Sequence, residues 1–429
     1  MHDGGPHLTR RQVAITGVGV VSSLGLGLPA YLDALAAGRS GIGPISLFDA
    51  STYPTRIAGE VRAIGETAAG REPALMADRK IAFAVEAVRQ AVRDAFGSDA
   101  IPYPPERRGL SLGVGLEIIR VEDLTRASDA SNTLDMSKLA ANLATQDPLT
   151  SFRVPADVGP QQVAQRHDLA GPRLVNVSAC VAGTQAIGQA MRMIRRGFDG
   201  VFLAGGADSM VNPLAVAGFG LLQATTTAND LGPRASRPFD RLRDGFVLGE
   251  GAAVLVLEEL RAAQARGARV YALVEGYGTS LDAYKITDPD EAGLGARESM
   301  RRALADAHLE PGALGYVNAH GTSTKKNDAV ETLAIHAVFG EHARQLPVSS
   351  TKSMIGHAIS AAGALEAAAC LLCFERDLLP PTINFVNPDP ACALDVVPNV
   401  ARPARVDSVL SNSFGFGGQN ASVVFRRFE

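Results

Sequence analysis

Short apolar runs, too brief for helices, alternate along this chain with longer stretches in which apolar residues recur at helical spacing. The clearest helical stretch is 81–96, where Ile81, Ala84, Val85, Val88, Ala91, Val92 and Phe96 fall on one face. Residues 13–15 predict a strand running into a Gly-rich turn at 16–19, and 29–37 predict a helix that stops near Gly38. Further strands are predicted at 110–114, 174–177, 201–204 (closed by Gly205 and Gly206), 252–257, 314–317, 348–350, 409–413 and 421–425. Helices are expected from the turn at 178–179 through about Arg196, over 296–307 and over 358–374. Such alternation indicates α/β sheets with helical cover rather than a β-sandwich. The opening pattern recurs near residue 269, where a strand over 268–274 is followed by Gly276 and Gly278. That recurrence divides the chain into two similar halves, 1–262 and 263–429. Residues 117–160 match no periodic template and read as a variable loop-and-helix insertion.

Composition narrows the function classes. Hydrophobic residues make up 46% of the 429 positions, too many for a disordered chain. Lys and Arg number 41 against 45 Asp and Glu, so no chain-wide nucleic-acid footprint is expected. Four cysteines in so long a chain do not make a disulfide framework. Gly17, Gly19 and Ser22-Ser23 interrupt the first apolar run, which leaves no signal-peptide core, and no run reaches the ~18–20 apolar residues of a membrane span. The expected compartment is the reducing cytoplasm.

Cys180 is the first candidate for chemistry. It follows the strand at 174–177 and the turn Ser178-Ala179, and it precedes a helix. The positive end of a helix lowers a thiol pKa and favours the nucleophilic thiolate; the alternative is a buried structural cysteine. Cys370 and Cys373 form a Cys-x-x-Cys inside an apolar helical run, which reads as structural, and Cys392 has no partner pattern. No second ligand pair stands at zinc spacing, so no metal is expected. Among eight histidines, His320 ends a strand in Asn318-Ala319-His320-Gly321-Thr322-Ser323-Thr324, and His357 follows Lys352-Ser353-Met354-Ile355-Gly356 and opens a helix. An imidazole at a helix N-terminus stays neutral and can donate a hydrogen bond. Lys352 sits near a strand end where burial is expected and so wants a carboxylate, and Asp328 and Glu331 follow His320 at i, i+3 spacing. The turn Gly415-Phe416-Gly417-Gly418 lets backbone N–H groups approach a reacting oxygen, while the absence of a Gly-Lys-Ser/Thr pattern disfavours a phosphate cradle.

Taken together, Val177-Ser178-Ala179-Cys180, the segment 318–324, Asn327-Asp328 with Glu331-Thr332, the segment 352–357 and Asn412-Ser413-Phe414-Gly415-Phe416-Gly417-Gly418 resemble the β-ketoacyl-acyl-carrier-protein synthases. Ser236-Arg237-Pro238-Phe239-Asp240 and Arg243-Asp244-Gly245-Phe246 add to the resemblance, which runs in order from about Val13 to Phe425. It is nearest to the elongating type II enzymes and polyketide ketosynthases. It implies a thiolase fold, five-layered, of two pseudo-repeated halves, usually dimeric. It also implies roles. Cys180 would accept an acyl chain from the phosphopantetheine thioester of an acyl carrier protein. His320 and His357 would stabilise the enolate formed when the malonyl thioester decarboxylates, and the carbanion would attack acyl-Cys180.

The N–H groups of Cys180 and Phe416 would form an oxyanion hole, with Phe416 as gate. Thr322 and Thr324 would bind the pantetheine arm, and Phe414, Gly415, Gly417 and Leu116 would line the substrate site. Lys352 and Glu331 would pair beside the histidines, with Asp328 adjoining. Arg79, Lys80 and Arg237 would face the acidic carrier protein. The enzyme would need no cofactor or metal of its own and would form a homodimer or a heterodimer with a ketosynthase-like partner. Three departures from the family pattern bear on substrate rather than reaction: Lys325-Lys326 stands where the family more often has Pro and an apolar residue, Lys285 replaces a frequent His, and 113–117 lacks a further glycine. The competing readings are a chain-length-factor-like interaction subunit and an acyltransferase or hydrolase using Cys180 alone.

Overall fold

The computed structural model describes residues 10–116, 125, 127–129, 131, 133–145 and 155–429. Of the 117–160 insertion, residues 117–124, 126, 130, 132 and 146–154 lie outside the described residues; Met136–Thr145 within it is a helix, and a second helix, Val158–Arg166, begins at its end.

Ten strands carry the architecture. The first five are β1 (Val13–Ser22), β2 (Arg108–Val114), β3 (Arg173–Asn176), β4 (Val201–Ser209) and β5 (Leu248–Glu259). The second five are β6 (Ala272–Leu281), β7 (Tyr316–Asn318), β8 (Pro347–Ser349), β9 (Ser408–Gly415) and β10 (Gln419–Arg426). Spatially the first set runs β3-β2-β4-β5-β1 and the second β8-β7-β9-β10-β6, which is the same order. Strand directions also repeat: β3-β2-β4 and β8-β7-β9 are parallel, while β5 and β10 are antiparallel to both neighbours. The equivalent strands β1 and β6 pair antiparallel, Ala14 with Leu273 and Ile15 with Ala272, and so join the two sheets.

Five helices complete the layers. They are α1 (Arg79–Phe96), α2 (Ala182–Arg195), α3 (Leu294–Asp306), α4 (Lys325–Phe339) and α5 (Ala362–Glu375). Helix α1 covers β1, β4 and β5, and α3, with α4 against it, covers β6 and β10. Between the sheets lie α2 and α5, touching each other and strands of both. The sequence explains the difference between layers. Helix α1 is apolar on one face only, whereas α5 is buried on every side from Ala362 to Phe374 and is built mostly of alanine, leucine and cysteine, with Glu366 the one acid in that buried stretch. Stacked as helix, sheet, helix, sheet, helix, this is the five-layered thiolase fold.

The expected turns at 16–19 and after Gly276 are strand interior instead, and β4 continues through Gly205 and Gly206 to Ser209. These glycines admit helices to the sheet rather than bend the chain. A Cβ at Gly19 would lie 1.8 Å from the Ala87 carbonyl oxygen on α1, and one at Gly278 would lie 2.1 Å from the Ser299 oxygen on α3. Helix α5 begins at Ala362, later than expected, because residues 359–361 form a tighter 3-10 turn entered by Ile359 at φ 42°. The same device precedes α2, where Ala179 at φ 48° starts the turn Ala179–Val181. Each such residue costs roughly 1–2 kcal/mol in backbone energy and is retained only where packing dictates it.

The glycine contacts make a stability prediction. Gly19→Ala should lower unfolding free energy by about 1–3 kcal/mol in urea titration, because α1 cannot retreat from β1. Gly218→Ala, with nothing within 4 Å of the new methyl group and a helical backbone, should instead raise it by about 0.5–1 kcal/mol. Equal effects at the two positions would contradict the close-approach account.

Candidate active site

Parallel strands of both halves deliver the site residues from their C-terminal ends. Beyond β3 the chain reaches Cys180, beyond β7 His320, beyond β8 Lys352 and His357, and the β9–β10 hairpin carries Phe416. These residues converge on a cavity of about 550 Å³, whose buried lining includes Cys180, His320, Thr322, His357 and Phe414. This is where an open α/β sheet places its ligands.

His357 Nε2 lies 3.1 Å from Cys180 Sγ. The two imidazole rings stand 5.3 Å apart, nearly perpendicular at 83°, with Phe246 edge-on to His357 and Phe414 edge-on to His320. Burial, reinforced by the neighbouring Lys352 ammonium, holds both histidines well below the usual imidazole pKa, so each is neutral near pH 7. Lys352 Nζ donates to the His320 carbonyl at 2.6 Å and faces Nδ1 of the same ring at 3.3 Å. A donor at Nδ1 keeps that nitrogen unprotonated and leaves the hydrogen on Nε2, aimed into the cavity. On His357, Nδ1 is buried without a partner, and a buried lone pair is cheaper than a buried orphan N–H. Both rings are thereby arranged as Nε2 donors.

The structure corrects several expectations. Lys352 does not pair with Glu331: its carboxylate partner is Glu366, the one buried acid of α5. Glu331 instead accepts the backbone N–H groups of His320 (2.9 Å) and Gly321 (2.8 Å) and the amide of Asn412, and burial pushes it up to about 7. It shapes the turn that carries His320. Asp328 accepts the Phe239 N–H and lies 3.5 Å from Arg243 Nε. The helix field does not leave Cys180 as a thiolate. Burial pushes the thiol up to about 11, against the Lys352 charge and the N–H groups of Phe416 and Cys180 that point at sulfur. His357 does not open a helix; it sits in the turn between the short helix Lys352–Ile355 and the 359–361 turn, and its neutrality comes from desolvation.

Phe414, Gly415, Phe416, Thr322 and Thr324 line the cavity, with the two threonine hydroxyls 2.9 Å apart. Gly417 does not line it and turns the hairpin at φ 85°. Leu116 is 66% exposed and lies outside the cavity lining. Of the three proposed carrier-facing cations, Lys80 is buried and Arg79 and Arg237 are half-buried, each beside a carboxylate. Arg79 pairs with Glu250 and stacks on Phe83, Lys80 is buried against Asp78 and the Leu116 carbonyl, and Arg237 lies against Asp244. At the start of α1, Asp78 caps the helix and draws Lys80 to itself.

Two functional residues were missed. Glu366 carried a signal, since one acid in the middle of the apolar run 362–374 implies a buried cationic partner. Asp208 carried none. It accepts the N–H groups of Ser209 and Ser360, fixing the 359–361 turn beside Cys180, and burial pushes it up to about 6. Cys180, His320 and His357 are also the one group among the described residues that could hold a metal ion, their ligand atoms lying within 4.8 Å of one another. An ion there would occupy the nucleophile and both donors, beside the positive charge of Lys352. The donor set is better suited to a reacting carbonyl.

Comparison with known proteins agrees with this geometry. The β-ketoacyl synthase N-terminal domain matches residues 10–263, and the β-ketoacyl synthase C-terminal domain matches residues 271–386. The 3-oxoacyl-[acyl-carrier-protein] synthase 2 of Coxiella burnetii is 42% identical over 98% of this chain and 99% of its own length. A chain from the solved complex of a type II polyketide synthase acyl-carrier protein with its hexaketide-bound ketosynthase matches with a TM-score of 0.86 at 29% identity, covering 98% of this chain and all of that one. The ishigamide ketosynthase/chain length factor matches at 0.84 with 38% identity, again over 98% and 100%.

A pH profile tests the electrostatics. Alkylation of Cys180 by iodoacetamide, followed by peptide mass analysis, should accelerate about tenfold per pH unit up to near pH 11, because only the thiolate reacts. A plateau below pH 8 would show that the helix field prevails over burial.

Proposed function

This chain belongs to the β-ketoacyl synthase family and is an acyl-transferring condensing enzyme, and on that premise we propose how its own residues divide the reaction. The acyl thioester of an acyl carrier protein enters along Thr322 and Thr324 on its phosphopantetheine arm. Cys180 Sγ attacks the thioester carbon, the new C–S bond forms, and the carrier leaves as the thiol, taking up the proton that sulfur gives up. We assign the oxyanion of this step to the backbone N–H groups of Cys180 and Phe416, which already act on the sulfur to lower the thiol pKa against burial.

In the second half, malonyl-carrier thioester takes the vacated arm position. Its carboxylate leaves as carbon dioxide, and the bonding electrons move to an enolate whose oxygen accepts from Nε2 of His320 and of His357. The enolate carbon then attacks the acyl-Cys180 carbonyl, the C–S bond breaks with its electron pair leaving on sulfur, the Cys180 thiolate takes up a proton from water, and a 3-ketoacyl thioester departs on the carrier. Two neutral donors suit this step better than a cation, since they stabilise charge as it develops without protonating the carbon nucleophile. The observation that carries the reading is the single buried cavity holding one thiol and two uncharged imidazoles. A chain-length-factor-like role is disfavoured by the same observation, because such a subunit needs none of the three.

We place the enzyme in the cytoplasm with its carrier; among the described residues no helix is long and apolar enough to cross a membrane. A homodimer is the expected assembly, with a ketosynthase-like heterodimer as the alternative. Among the described residues β3 pairs only with β2, and Val177 just beyond it is exposed, which leaves a sheet edge open to a second chain.

Incubation with acyl-carrier protein should add the acyl mass to the wild-type chain and not to Cys180→Ala. An equal mass shift in both would remove Cys180 from the mechanism. His320→Ala should still be acylated but lose condensation with malonyl-carrier protein by about a hundredfold or more, the scale of losing one oxyanion donor. Retained condensation would exclude His320 as that donor.

A further inference from the structure

The rim of the cavity carries a charge that the chemistry at its floor does not use. One segment lines the cavity along its whole depth: His320 and Thr322 are buried, Thr324 is half-buried, and Lys325 and Lys326 are exposed. Carboxylates at the same rim are already engaged. Asp244 accepts from Thr226 at 2.9 Å and faces Arg237, Asp282 accepts from Asn420 at 2.7 Å, and Asp288 pairs with Lys326 at 2.6 Å and lies 3.8 Å from Lys285. Among the described residues, no carboxylate lies within ion-pair distance of Lys325; its neighbour Lys326 has Asp288. The backbone beneath Lys325 is held firmly. Buried Arg243 donates to the carbonyls of Thr324 (3.1 Å) and Lys325 (2.9 Å) and is itself paired with Asp389.

An uncompensated ammonium on a fixed mount, at the opening of a cavity whose nucleophile is buried, is suited to an anion that must be held outside while something attached to it reaches in. We propose that Lys325 binds the phosphodiester of the phosphopantetheine arm while its thioester reaches Cys180. This rests on the condensing-enzyme reading given above and names a residue for it. The order of groups along the segment matches the arm. Phosphate meets Lys325, the amides pass the hydroxyls of Thr324 and Thr322, and the thioester lies beside His320. Lys326 contributes by tying the 285–288 loop to the first turn of α4 through Asp288.

Cys180 acylation rates, read by intact mass, distinguish the possible sources of the effect. The reagents are an acyl-phosphopantetheine thioester, the matching N-acetylcysteamine thioester, which lacks the phosphate, and acyl-carrier protein. Wild type should prefer the phosphate-bearing small reagent, and that preference should fall roughly tenfold in Lys325→Ala and return in Lys325→Arg. Thermal unfolding of each variant checks that the fold is kept. No preference in wild type, an unchanged preference in Lys325→Ala, or failure of Arg to restore it overturns the assignment. So does a defect confined to whole acyl-carrier protein, which would place the contact on the carrier's protein surface. If wild type accepts neither small reagent but accepts the carrier, the phosphate assignment alone fails. If it accepts none of the three, the condensing-enzyme reading fails and this inference with it.

Discussion

Lys352 ties the site together. Its ammonium reaches the Glu366 carboxylate on α5 and the His320 carbonyl beyond β7, and it faces the His320 ring, so one buried cation joins three segments of the second half. Losing one partner of such a buried pair typically costs about 3–5 kcal/mol, because the other charge is left unsolvated. That penalty makes the pair a rigid strut rather than a flexible contact. It also sets the His320 tautomer, which decides whether Nε2 can donate to substrate oxygen.

Burial has opposite consequences for the two kinds of reacting group. It keeps both imidazoles neutral, as enolate stabilisation requires, and it raises the Cys180 thiol, which nucleophilic attack does not want. The N–H groups of Phe416 and Cys180 and the charge of Lys352 offset part of that rise. Those N–H groups therefore ease the ionisation that burial opposes. The resting site is a protonated thiol among neutral rings, with charge appearing only as substrate reacts.

The repeat of strand order places these groups together. In each half a non-glycine residue with positive φ, Ala179 or Ile359, begins a tight turn leading into a central helix. The two turns meet between the sheets, where a Cβ at Gly183 would lie 2.9 Å from the Ala364 nitrogen and one at Gly363 would lie 2.0 Å from Thr184 Oγ1. Cys180 occupies the first turn, and the second, clamped by Asp208, stands just beyond His357. Catalytic residues from different halves can share one cavity because helix starts without side chains pack this closely.

Periodicity along the chain determined the alternation of strands and helices, the one-sided burial of α1 and the recurrence that begins at β1 and β6, since these are local consequences of which residues face a sheet. The motifs around Cys180, His320, His357 and Phe416 carried the family resemblance that implied the reaction class, because they stand in the family's order along the chain. Only the tertiary structure decided that Gly19 and Gly278 admit helices rather than turn the chain, since that depends on a partner many residues away. It also decided that Lys352 answers Glu366 and not Glu331, that Arg79 and Lys80 are spent on Glu250 and Asp78, and that Cys180 rests as a thiol. Each of these depends on burial and on which charges meet across the fold, and neither quantity is written in spacing along a single chain.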